Sequence, residues 1–121
     1  FLVYGRMLRP PVFTSEVPKV RLKWYRSWSK RYYEVEMPVV LGSTWRAPDG
    51  QVGLVLCNFG PRPQEVTVEL RDRDYGFTPG EDVQLGTVYV RRQGVEVEHA
   101  EGGVKVRCTV PARSPAVYAF E

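Results

Sequence analysis

Alternation runs through most of this chain. Val20, Leu22 and Trp24 are spaced by Arg21 and Lys23, and Val66, Val68 and Leu70 by Thr67 and Glu69. Val95 and Val97 alternate with Glu96 and Glu98, and Val104, Val106, Cys108 and Val110 with Lys105, Arg107 and Thr109. A period of two with one apolar face marks strands that cover a core on one side. The run from Val52 to Cys57 departs from this. Val52, Leu54 and Leu56 are interleaved with Gly53, Val55 and Cys57, so both faces are apolar, as in a central strand. No 12-residue stretch shows a 3.6 period, and only Ser27–Tyr33 reads as a helical turn.

The turn residues fall between these runs. Pro48-Asp49-Gly50, Gly60-Pro61-Arg62-Pro63, Arg92-Gln93-Gly94 and Glu101-Gly102-Gly103 each separate two of them. The candidate strands are Leu2–Leu8, Val20–Tyr25, Val39–Trp45, Val52–Phe59, Glu65–Leu70, Thr87–Arg91, Val95–His99, Val104–Val110 and Ala116–Phe120. Short strands at this spacing predict an all-β fold, a two-sheet antiparallel β-sandwich of about eight strands. Unequal strand lengths favour a sandwich over a barrel. One domain over residues 1–121 is expected. Pro10 and Pro11 give no ladder donors, so residues 1–11 read as a linking strand from an upstream domain.

Composition narrows the function classes. The chain has 121 residues, 43% hydrophobic and 26% charged, which is one globular domain and not a disordered segment. No run of 18 apolar residues occurs, so no membrane partner is expected. The chain opens at Phe1 inside an apolar run and reads as a piece of a longer protein.

Little in the sequence carries chemistry. Cys57 and Cys108 both lie in strands and read as buried free thiols in preference to a disulfide. No CxxC, HExxH, GxSxG or phosphate loop occurs, and no cofactor or metal is expected. His99, the sole histidine, sits beside Glu98 and Glu101 and reads as an exposed residue near a turn, not a base. The carboxylates fall on alternating strand positions and in turns. Asp72, Asp74, Glu81 and Asp82 form the one group with calcium-like chemistry, and a polar loop accounts for them better. No catalytic residue is assigned.

Lys19–Tyr33 stands apart, with six basic residues, no acid and five aromatics: Trp24, Tyr25, Trp28, Tyr32 and Tyr33. Residues 1–33 carry eight basic groups and one acid, net +7, and the rest nine and thirteen, net −4. Three readings follow. Trp, Tyr and Arg anchor protein interfaces; aromatic rings stack on sugars; basic and aromatic residues together bind single-stranded nucleic acid. The interface is favoured, with carbohydrate contact next. Nucleic acid is set aside as a partner because the acidic remainder repels phosphate.

Three pieces of the chain, with Glu65–Leu70 as the strand that follows the first, resemble a known architecture. Val39–Phe59, VVLGSTWRAPDGQVGLVLCNF, resembles the first hairpin of C-terminal β-sandwich domains of glycoside hydrolases. It has a Trp-bearing strand, an Asp-Gly turn and an apolar strand ending in Asn58. Val110–Phe120, a Pro-led turn and a short apolar strand, resembles their closing strand. The opening FLVYGRMLRPP is similar to the segment joining barrel and sandwich in glycoside-hydrolase-like proteins of the DUF6259 type. The resemblance implies a non-catalytic accessory domain that packs against and stabilises an upstream catalytic barrel of the same chain. Catalytic residues would then lie in that barrel. The alternatives are a carbohydrate-binding module using Trp24, Trp28, Tyr32 or Trp45, and an immunoglobulin-like protein-interaction module. Across these readings Trp24, Tyr25, Trp28, Tyr32, Tyr33 and Trp45 are the candidate carbohydrate or interface residues. Independently, Asn58 at a strand end is expected to bond the backbone two residues on and to be worth about 1 kcal/mol.

Overall fold

A computed structural model of the chain describes residues 5–76, 85–88, 95–100 and 102–120. Among these the fold is all-β with antiparallel sheets and one helical turn. The strands are β1 (Arg6–Met7), β2 (Val12–Phe13), β3 (Lys19–Arg26), β4 (Arg31–Pro38), β5 (Val40–Arg46) and β6 (Val52–Asn58). They continue as β7 (Gln64–Arg71), β8 (Leu85–Val88), β9 (Glu96–Ala100), β10 (Gly103–Val110) and β11 (Ser114–Phe120). A five-stranded sheet runs β1-β5-β6-β11-β8, a four-stranded sheet runs β2-β7-β10-β9, and β3 pairs only with β4.

The two larger sheets share one core. Val52, Leu54 and Leu56 of β6, with Ala116, Tyr118 and Phe120 of β11, meet Val66, Val68 and Leu70 of β7 and Val104, Val106 and Cys108 of β10. Every second residue of these strands is buried, as the alternation predicts. Pro10 and Pro11 mark the point where the chain passes from the first sheet to the second, β1 pairing with β5 and β2 with β7. The Arg9 and Pro10 carbonyls there accept bonds from the Tyr75 hydroxyl at 2.8 and 3.1 Å. Thr44 Oγ1 also donates to Arg9 O. Tyr75 reaches them from a four-residue helix, α1 (Asp72–Tyr75), which ends on Gly76 in the left-handed region at φ 69°.

Three sequence expectations change. Ser27–Tyr33 is not a helical turn: residues 27–30 form a tight turn and Arg31 begins β4. The alternation of Tyr33, Val35 and Met37 with Glu34 and Glu36 explains that strand, and the adjacent aromatics Tyr32 and Tyr33 obscure it. Two strands therefore leave the sandwich as a separate arm. The start of one further predicted strand, Thr87–Arg91, shifts as well. β8 begins at Leu85, and residues 89–91 of the expected Thr87–Arg91 strand lie outside the described residues, as do residues 2–4 of the first.

Asn58 closes one end of the sandwich. Its Oδ1 accepts the Gly60 N–H at 2.8 Å, the bond expected for a strand-end Asn. Its Nδ2 also donates to Arg62 O at 2.8 Å and to Val110 O at 3.1 Å, across to the end of β10 in the other sheet. The turn it holds is tight. A Cβ on Gly60 would come within 2.5 Å of Val39 Cγ2.

The cysteines are free and lie on different surfaces. Cys108 is buried in the core, while Cys57 is half-buried on β6 between inward-facing Leu56 and Asn58 and so faces outward. Burial pushes the Cys108 thiol up from its ordinary 9.0, partly offset by a hydrogen bond with Tyr118. Burial, and then the neighbouring Cys108, push the Tyr118 hydroxyl up from 10.0. Tyr75 is raised in the same way, mainly by desolvation. All three hold their protons in the folded chain at a pH where the unfolded chain releases them. Their contribution to stability is therefore present below pH 9 and is lost as pH climbs past 9 and then 10. Urea titrations from pH 7 to pH 11 should show the midpoint flat at first and dropping only in the alkaline arm.

Candidate functional site

The outward faces of the two sheets differ in kind. On the four-stranded sheet Glu65, Thr67 and Glu69 of β7 lie beside Lys105, Arg107 and Thr109 of β10, with Glu96 and Glu98 of β9 beyond. Arg107 Nη2 lies 2.8 Å from Glu65 Oε1 and its Nη1 lies 3.8 Å from Glu96 Oε2. These exposed pairs are the ordinary furniture of a solvated sheet and add little stability.

Among the described residues, the outer face of the five-stranded sheet has no such dressing on β1, β5, β6 and β11. On β6 the outward residues are Gly53, Val55 and Cys57, and on β11 Pro115, Val117 and Ala119. β5 adds Leu41, Ser43 and Trp45, and β1 adds Met7 opposite Trp45. Not one described residue of this face on those four strands is charged, and its one polar side chain on β5, Ser43, accepts the Trp45 Nε1–H at 3.1 Å. Leu41 and Met7 are exposed, while Trp45, Val55, Cys57 and Val117 are half-buried. The two-faced apolar run from Val52 to Cys57 is the sequence signal of this face.

A groove of about 400 Å³ runs beside it, between the crossover at Pro10–Pro11 and β5. Phe13, Val17, Pro38 and Leu41 line it with the prolines, and Ser15 contributes a hydroxyl. Its lining has no titratable side chain. It offers shape to a ligand and no acid or base to a reaction.

The aromatic candidates lie on the arm, except Trp45. Cross-strand pairs Val20–Met37, Leu22–Val35, Trp24–Tyr33 and Arg26–Arg31 alternate with Arg21–Glu36, Lys23–Glu34 and Tyr25–Tyr32. The first set forms one face of the ribbon and the second set the other. Trp24 and Tyr33 are thus on one side and Tyr25 and Tyr32 on the opposite side. Tyr25 and Tyr32 stand 5.1 Å apart with rings tilted 46°. Trp28 projects from the turn, 78% exposed. The Arg26 guanidinium lies 4.7 Å from the Tyr33 ring centre and 5.7 Å from that of Trp28. The five arm rings therefore form no single coplanar row.

The other sequence candidates are dispersed. His99 is exposed on β9, opposite Val104. Asp72 and Asp74 lie in α1, with Asp74 3.9 Å from Arg9, and Glu81 and Asp82 lie outside the described residues. Comparison with protein-family models, with curated proteins and with solved structures gives no match.

Proposed function

We propose that this chain is a non-catalytic accessory β-sandwich domain of a carbohydrate-active, glycoside-hydrolase-like enzyme. In this reading it packs against an upstream catalytic barrel of the same chain through the outer face of the five-stranded sheet. The observation that carries the reading is the lack of charge over that face on β1, β5, β6 and β11. An antiparallel sheet facing water alternates apolar with polar residues, and a contiguous uncharged face marks a contact surface. Of the stretches that resemble glycoside-hydrolase sandwich domains, two supply β5, β6 and β11, neighbouring strands of this sheet, and Glu65–Leu70 supplies β7 of the other. The domain's contribution is to stabilise the barrel and to shape the rim of its cleft.

A second reading, an independent carbohydrate-binding module, has the exposure of Trp28 and Tyr32 in its favour. The division of the rings between two faces of the arm weighs against a flat sugar platform.

The paired substitution Val55→Glu and Val117→Lys, opposite charges on residues that face each other across the ladder, tests the first reading. The isolated chain should keep its fold and lose less than about 1 kcal/mol, since both side chains already point outward. The parent enzyme carrying the pair should melt earlier and lose activity. A parent enzyme indifferent to both charges would contradict the docking.

A further inference from the structure

We propose that the tip of the β3–β4 arm binds an acidic glycan, a sugar chain bearing carboxylate groups. The proposal rests on the carbohydrate-enzyme reading above and deepens it by naming a ligand class. Charge along the arm is arranged in two zones. On the shaft, cations meet acids: Arg21 pairs with Glu36 at 3.9 Å and Lys23 stands opposite Glu34. At the tip this ends. Arg26 and Arg31 are direct cross-strand partners, and Lys30 sits beside them in the turn. Among the described residues none of the three joins an ion pair.

That arrangement works against the arm's own stability. Like charges directly across a ladder repel. Lys30 adopts φ 53°, a left-handed conformation that strains a residue with a Cβ. An anion between the two guanidiniums turns the repulsion into attraction. The rings complete the site. The Arg26 guanidinium lies over the Tyr33 and Trp28 rings, and Trp28, 78% exposed, leaves ring surface open beside it.

The class of anion follows from the geometry. Guanidinium forks match carboxylates and phosphates alike in bidentate pairs, and open aromatic rings accept the C–H faces of sugars. A nucleic-acid strand places charge along a whole groove. Here Glu34 and Glu36 line the shaft, and the remainder of the chain is net −4, so attraction is confined to the tip. A site of three cations suits a short run of uronic acids.

Titration calorimetry of the chain with tetragalacturonate, cellotetraose and a short oligothymidylate tests this. Tetragalacturonate should bind and weaken with added salt. Arg26→Ser with Arg31→Ser should lower its affinity about tenfold or more, without lowering the melting temperature. Arg21→Ser, on the shaft, should change affinity less than about threefold. Equal binding of cellotetraose would overturn the acidic-glycan site and leave the accessory-domain reading standing. Tighter binding of oligothymidylate would overturn both the site and its carbohydrate premise. No binding of any probe, or a tip variant that binds as well as the original chain, would overturn the site alone.

Discussion

Replacing Asn58 with Ala should destabilise the isolated chain by about 3 kcal/mol, three times what a strand-end Asn is worth on its turn alone. The difference comes from burial and reach. Asn58 is 2% exposed, and its amide serves Gly60, Arg62 and Val110 together. Ala leaves one backbone donor and two backbone acceptors without their partner at the end of the sandwich, and unpaired groups there cost more than the bonds contribute. The loss also frees the connection between β6 and β7 from the end of β10. Asn58→Asp keeps the oxygen that accepts from Gly60 but removes both donated bonds and buries a charge, so it should be no better tolerated. Thermal unfolding followed by far-UV circular dichroism should show a drop of about 10 °C or more for Ala. A drop of only a degree or two would mean that solvent replaces the amide and that the two sheets are not tied at this end.

The second large effect belongs to Leu54. It is fully buried on β6, between Thr44 of β5 and Tyr118 of β11, and faces the strands of the other sheet. Leu54→Ala removes its transfer free energy and leaves a cavity that packed neighbours fill only in part, for a loss of about 3 kcal/mol. The informative comparison is Val55→Ala, one residue along the same strand. Val55 points outward, so in the isolated chain its truncation should cost well under half as much. Urea unfolding of the two variants reads the contrast directly. Equal losses would mean that the outer face is already covered in the isolated chain.

That contrast also shows how much was legible in the sequence. Period-two alternation identified the main strands of both sheets because each has one face in a common core. The run from Val52 to Cys57, apolar on both faces, announced a central strand, and β6 is the middle strand of the five-stranded sheet, between β5 and β11. Asn58's turn bond was readable because it is local. Its bond to Val110 spans 52 residues and depends on how the sheets stack. Tyr75 and Thr44 were missed for the same reason, since their partners lie on the crossover at Arg9 and Pro10. The aromatic arm was the largest gap. Its residue types were conspicuous, but which rings share a face depends on cross-strand register, and register depends on the four-residue turn at 27–30. Once Trp24 pairs with Tyr33 and Tyr25 with Tyr32, the rings divide between the two faces.

Cys57 reports on the proposed docking face without any substitution. It lies on the outer face of β6, while Cys108 is sealed in the core with its thiol pushed up. Thiol labelling under native conditions, read by mass spectrometry, should modify Cys57 and spare Cys108 in the isolated chain. In the parent enzyme we propose, Cys57 should be protected by the neighbouring domain. Labelling of Cys57 at the same rate in both would contradict the account, because the uncharged face would then be as open to water beside the barrel as it is alone.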